Sequence, residues 1–156
     1  MRWHALRMSE RPEVTSVVSS HDDLAAGEAP RPSLALVKAA EPRTVTALRR
    51  ATVDFATSHG APSAIVDDIA LAVSEAATNA VKHANVSSGE GIVELTAAIA
   101  DDWVDIRIRD RGKGFGTRPS DGLGLGLSII ASVAVYLTIC QEGHGTEVRM
   151  RFPLPR

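Results

Sequence analysis

From Ser33 onward the chain alternates between two apolar rhythms, one of period near 3.6 and one of period 2. LALVKAA, residues 34–40, reads as a first strand. Pro42 beside Arg43 and Thr44 suits the first turn of a helix, where proline has no N–H to leave unsatisfied, and Gly60 marks the stop of that helix after about His59. Pro62 and Ser63 open a second helix to about Ala84, in which Ile65, Ile69, Val73, Ala76, Ala80 and Ala84 form a continuous apolar face. Its alanines are small enough to let it lie close to a sheet.

Gly89 and Gly91 break the pattern before IVELTAAIA, and Asp101-Asp102 supplies a turn before WVDIRIRD. There Val104, Ile106 and Ile108 alternate with Asp105, Arg107 and Arg109, which predicts a hairpin with one buried face. A third helix is expected near residues 125–133, and two last strands in AVYLTICQ and TEVRMRF. This order predicts an α/β, two-layer sandwich with helices on one face of a mainly antiparallel, mixed sheet. Residues 1–33 lack sustained periodicity and carry Ser19, Ser20, Asp22, Asp23, Gly27, Pro30 and Pro32. They read as a flexible N-terminal extension, with an arm that orders on a partner as the alternative; residues 34–156 read as one domain.

Composition narrows the function classes. A length of 156 residues fits a single domain, and a formal charge of −2 gives no broad electrostatic footprint for nucleic acid. Cys140 is the single cysteine, so no internal disulfide and no thiolate zinc site is expected, and a reducing cytoplasm is the natural setting. MRWHALRM is too short and polar for a signal-peptide core, and no stretch approaches the roughly 20 apolar residues that span a bilayer.

The candidate chemistry lies on the second helix and just after it. Glu75, Asn79 and His83 recur every four residues, a spacing that leaves side chains about 40° apart on one stripe of a helix. Asp110-Arg111-Gly112-Lys113-Gly114 and Gly122-Leu123-Gly124-Leu125-Gly126-Leu127 follow, two glycine turns where backbone can press against a ligand. The second opens a helix, whose N–H groups and dipole suit phosphate. Each feature alone has an ordinary reading: solvated helix residues for Glu75 and Asn79, a dipole-complementing helix end for Lys82 and His83, a strand-ending turn at Asp110. The glycine run also occurs in dinucleotide folds, but there it directly follows the first strand. Arg118, between the two turns, reads as a surface arginine or as part of a short lid.

Taken in order, LAVSEAATNAVKHA, DRGKGFG, GLGLGLSII and GTEVRMRFP resemble the GHKL ATP-binding superfamily of gyrase, MutL and the histidine kinases, and within it the anti-sigma factor serine/threonine kinases. The resemblance implies the Bergerat ATP-binding fold, with ATP and Mg²⁺ as ligands. It assigns Asn79 to the metal, Glu75 to catalysis and Asp110 to the adenine amino group, a choice that favours adenine because its N6 donates. Lys82, His83, Gly112, Gly114, Gly122, Gly124, Leu125, Gly126 and Thr146 complete the nucleotide site it implies. Histidine kinases commonly carry Asn where Glu75 stands, which sets that branch apart. The implied function is a kinase that sequesters a sigma factor and phosphorylates an anti-anti-sigma protein of STAS fold, commonly as a homodimer, with no direct contact to nucleic acid or membrane. A nucleotide-binding module that sequesters a partner without phosphoryl transfer, and a detached histidine-kinase ATPase domain, are the alternatives.

Overall fold

The computed structural model describes residues 2–6, 31–84, 91–111, 123–142 and 145–155. Pro42 and Gly60 bracket the first helix, α1 (Pro42–Ser58), as their backbone chemistry dictates. Gly60 takes φ 84°, and the chain closes with the Gly60 N–H on the Thr57 carbonyl and the Ala61 N–H on the Ala56 carbonyl, both at 3.0 Å. This paired arrangement satisfies carbonyls that a helix end otherwise leaves open. The second helix, α2 (Ser63–Ala84), and the third, α3 (Leu123–Val133), complete the helical layer among the described residues.

The strands are β1 (Arg2–Leu6), β2 (Ser33–Ala39), β3 (Ile92–Ala100), β4 (Trp103–Asp110), β5 (Tyr136–Glu142) and β6 (Gly145–Pro153). They form one sheet in the order β1-β5-β6-β4-β3-β2, and each neighbouring pair is antiparallel. The expected sandwich is present, with the sheet antiparallel throughout the described strands. The β3–β4 turn passes through Asp101 at φ 55°, a left-handed conformation that aspartate tolerates better than most residues.

Two expectations need correction. Arg2–Leu6 is a strand, paired in register with residues 137–141 of β5, so the N-terminal segment is not wholly an extension. Five residues are too few to show a period, and what holds them is the otherwise open hydrogen-bonding edge of β5. Residues 7–30, the rest of that segment, lie outside the described residues. The third helix begins at Leu123 rather than near Leu125, which takes Gly124 and Leu125 into its first turn.

Alternation sets which face of the sheet is covered. On β4, Val104, Ile106 and Ile108 are buried at every second position, and Val148, Met150 and Phe152 do the same on β6. Against them α2 lays Ile69, Ala72, Val73, Ala76, Ala77 and Ala80, all buried, while the expected Ile65 is only half-buried at the margin. Packing α2 over β3, β4 and β6, with α1 over β2 and α3 over β5, gives the helical layer its order. A fully buried side chain such as Phe152 or Leu48 contributes about 1.5–3 kcal/mol by leaving water. Inside this layer Thr44 and Thr52 keep their hydroxyls satisfied, on the Ala39 carbonyl at 2.6 Å and the Leu48 carbonyl at 2.8 Å.

Candidate functional site

Asp110 continues the inward alternation of β4, two residues beyond Ile108, so a carboxylate takes the place where the next core side chain would stand. It is 3% exposed. Directly opposite in register is Thr146 of β6, equally buried, whose hydroxyl has no hydrogen-bond partner among the described residues. A buried hydroxyl left so loses about 1–3 kcal/mol relative to a paired one, and a ligand that both accepts and donates at this spot recovers it. Adenine, with an amino group beside ring nitrogens, is such a ligand.

Gly145 explains why the two chains meet so closely here. A β-carbon at this position would stand 2.2 Å from the Asp110 carbonyl oxygen. No side-chain movement relieves a clash with backbone, so β6 must shift away from β4. Gly145→Ala is therefore expected to lower stability by about 1–3 kcal/mol and to weaken ATP binding beyond what the stability loss explains. Urea unfolding and nucleotide titration on the same preparation check this, and an alanine variant with unchanged melting and binding would contradict it.

The α2 stripe forms the opposite wall. Glu75, Asn79 and His83 are half-buried, on the boundary between the core face of α2 and solvent, whereas Lys82 is exposed. Ser74 and Thr78, their neighbours, turn back onto the helix carbonyls of Ala70 and Ser74 at 2.7 Å each, which leaves Glu75 and Asn79 as the polar groups that the stripe offers. Across from them runs the first part of α3. A β-carbon built on Gly126 would lie 3.1 Å from Glu75 Oε2 and 3.2 Å from Asn79 Nδ2. The backbone of α3 thus comes up against both side chains, and the N–H groups of its first turn share that space with an acid and an amide. Gly126→Ala should displace Glu75 and Asn79 by a few tenths of an ångström, and slow any phosphoryl transfer several-fold with little change in melting temperature. Steady-state turnover beside a thermal melt measures both quantities.

The sheet and the stripe face the same end of the molecule. Asp110 is in register with Val93 of β3, and Gly91, two residues before Val93, lies so close to Ala84 that an added β-carbon would stand 2.6 Å from it. The C-terminal half of α2, with Asn79 and His83, therefore runs toward the row of Val93, Asp110 and Thr146. Gly91, which the sequence offered as a break before β3, also allows this close approach of β3 to the end of α2. Arg111, next to Asp110, is tied to Glu94 at 2.8 Å, which fixes the end of β4. Gly112, Gly114, Gly122 and Arg118 lie outside the described residues, and Gly124 and Leu125 are placed only by the backbone of α3.

The residues present fit a magnesium-bound nucleotide. Among the described residues no three His, Cys, Asp or Glu side chains gather into a metal cage. Asn79 offers a neutral hard oxygen, and Mg²⁺ commonly takes one or two protein ligands and fills its octahedron with water and phosphate.

The family model for the histidine kinase-like ATPase domain matches residues 38–152, which span α1 through β6 and each site residue named above. The chain belongs to this family of ATPase domains. Its curated relatives include anti-sigma F factors and the serine-protein kinase RsbW, which support an anti-sigma kinase-like family within it. An anti-sigma F factor of Clostridium botulinum is 31% identical over 99 residues, covering 55% of this chain and 69% of that protein. Another, of Heyndrickxia coagulans, is 36% identical over 93 residues, covering 51% and 63%. The serine-protein kinase RsbW of Listeria monocytogenes is 33% identical over 76 residues, covering 49% and 48%. A crystal structure of the RsbU and RsbW domains of a Mycobacterium tuberculosis protein superposes with a TM-score of 0.67 at 25% identity, over 82% of this chain and 34% of that longer one. No helix among the described residues is long and apolar enough to cross a membrane.

Proposed function

We propose that this chain is an ATP- and Mg²⁺-dependent protein serine/threonine kinase of the anti-sigma type. It holds a sigma factor away from polymerase and phosphorylates a serine of a STAS-fold anti-anti-sigma protein. The observation that carries the reading is the placement of Glu75 beside Asn79 against the α3 backbone at Gly126. A carboxylate one helical turn from the proposed metal ligand is suited to take the proton of a hydroxyl that attacks a phosphoryl group.

The residues divide the work. Asp110 accepts the adenine amino group at the pocket floor, and Thr146 supports it from the neighbouring strand. Asn79 would hold Mg²⁺, which would supply charge neutralisation at the phosphate oxygens. The first turn of α3 presents N–H groups to those oxygens, with His83 and Lys82 as further cations or donors at the end of α2. Glu75 takes the proton of the attacking serine hydroxyl while the γ-phosphoryl leaves ADP, so the new O–P bond forms as the old one breaks. Little else is required, because phosphoryl transfer is catalysed chiefly by positioning and charge neutralisation.

Incubation with radiolabelled ATP, Mg²⁺ and candidate STAS proteins tests the proposal. Acid-stable label on a substrate serine supports the kinase. Tight ATP binding without transfer to any of them leaves the sequestering module instead, and acid-labile label on a histidine indicates a histidine-kinase activity. For the metal, Asn79→Ala is expected to remove the Mg²⁺ dependence of ATP affinity. A magnesium titration that superimposes on that of the unaltered protein contradicts the assignment.

A further inference from the structure

The polar stripe of α2 continues beyond Glu75, toward the start of the helix. The row of Val93, Asp110 and Thr146 lies near the other end, where Gly91 meets Ala84. A nucleotide whose base sits in that row runs its phosphates back along α2, past His83 and Asn79 to Glu75. The molecule that offers the attacking hydroxyl then reaches the γ-phosphoryl over the turns before Glu75. A step of four residues rotates a helix by about 400° and a step of seven by about 700°, so Leu71 and Asp68 stand within about 40° and about 20° of Glu75, some ~6 Å and ~10 Å further along the axis. Both lie on the approach of that hydroxyl.

Leu71 is 44% exposed, and among the described residues no other large apolar side chain is so open on a helix. A lone exposed leucine is ordinary on a protein surface; this one stands a single turn from the acid that would take the proton. Ser74 and Thr78, beside it on the helix surface, donate their hydroxyl protons to the Ala70 and Ser74 carbonyls, so those protons are already used within α2. Two carboxylates come next. Asp67, one turn before Leu71, is exposed and Asp68 is half-buried, and neither has a side-chain hydrogen bond or ion pair among the described residues. No Lys or Arg precedes Lys82 on α2 to offset them.

For a chain that transfers phosphate to a protein serine, on which this reading rests, we propose that Leu71, Asp67 and Asp68 select the acceptor. The segment that bears the target serine sets an apolar side chain on Leu71 and a lysine or arginine against the two aspartates. The apolar contact takes Leu71 out of water, and the cation is held by charge-assisted hydrogen bonds. An acidic segment is turned away, because Glu75 adds a third carboxylate to the same side of the helix. The patch holds the acceptor alike before and during transfer, so it governs how tightly that protein binds, whereas Glu75 governs how fast its hydroxyl reacts.

Fluorescence anisotropy on the full chain, with a non-hydrolysable ATP analogue and Mg²⁺ present, tests this with three labelled dodecapeptides that share a central serine: one of Lys and Leu, one of Glu and Leu, and one of Lys and Gly. The Lys/Leu peptide is expected to bind at least about fivefold more tightly than either of the others. Leu71→Gln and Asp68→Asn should each weaken it by about that factor, while Arg50→Ala on the exposed side of α1 leaves it unchanged. ATP affinity should not move in any of these variants. Kinetics supply a second readout: with a STAS protein that accepts label, Leu71→Gln should raise the KM for that protein about tenfold and leave kcat within about twofold, the reverse of Glu75→Ala. The proposal is overturned by Lys/Leu and Lys/Gly peptides that bind alike, by a Glu/Leu peptide that binds more tightly, or by a Leu71→Gln variant with unchanged peptide affinity. A failure of every STAS protein to take label counts against the kinase function, and the peptide comparison then decides the patch by itself.

Discussion

Asp110→Asn is expected to raise the dissociation constant for ATP about a hundredfold. A hydrogen bond to a charged acceptor contributes about 1.5–3 kcal/mol, and the amide replaces an acceptor-only group with one that presents a donor toward the adenine amino group. Every 1.4 kcal/mol is tenfold in affinity, so the lost bond and the new donor–donor contact together reach that scale. The same substitution should narrow the preference for ATP over GTP, because guanine offers an acceptor at O6 where adenine offers a donor. Asp110 is buried in the sheet, so a thermal melt must accompany the titration. A stable, folded variant with unaltered ATP affinity would remove the adenine assignment.

Glu75→Ala should act on a different quantity. ATP affinity should change little, whereas phosphoryl transfer to a protein serine should fall by about 10²–10⁴, the range that a positioned general base supplies. Glu75 is half-buried at the margin of α2, and alanine is the better helix former, so stability should hold or rise slightly. A drop in turnover with binding preserved marks an interaction made in the transition state rather than in the ground state. Equal turnover by the variant would leave Glu75 without a chemical role.

Much of the fold was legible because burial writes its period into the chain. The apolar face of α2 and the strict alternation of β4 each fix an element and its inward side, and Pro42 and Gly60 fix where α1 begins and ends. The first strand was not legible. Five residues, RWHAL, carry no period of their own, and their pairing depends on the edge of β5, more than 130 positions away in the chain. Within the site, the spacing of Glu75 and Asn79 was readable from helical geometry, and so was Asp110 as the end of an alternating strand. The pairing of Asp110 with Thr146, the collision that keeps residue 145 a glycine and the approach of Gly126 to α2 were not, because each is set by which strands or helices become neighbours.

A crystal structure of the full chain with a non-hydrolysable ATP analogue and Mg²⁺ should show one nucleotide enclosed by α2, α3 and the β4–β6 pair. The adenine amino group is expected within hydrogen-bond distance of the Asp110 carboxylate, the Asn79 side-chain oxygen on the metal, and Glu75 facing the γ-phosphoryl from the side open to a second protein. A nucleotide bound elsewhere, or these three side chains turned away from it, would rule out the assignment of Asp110, Asn79 and Glu75 to its binding and transfer.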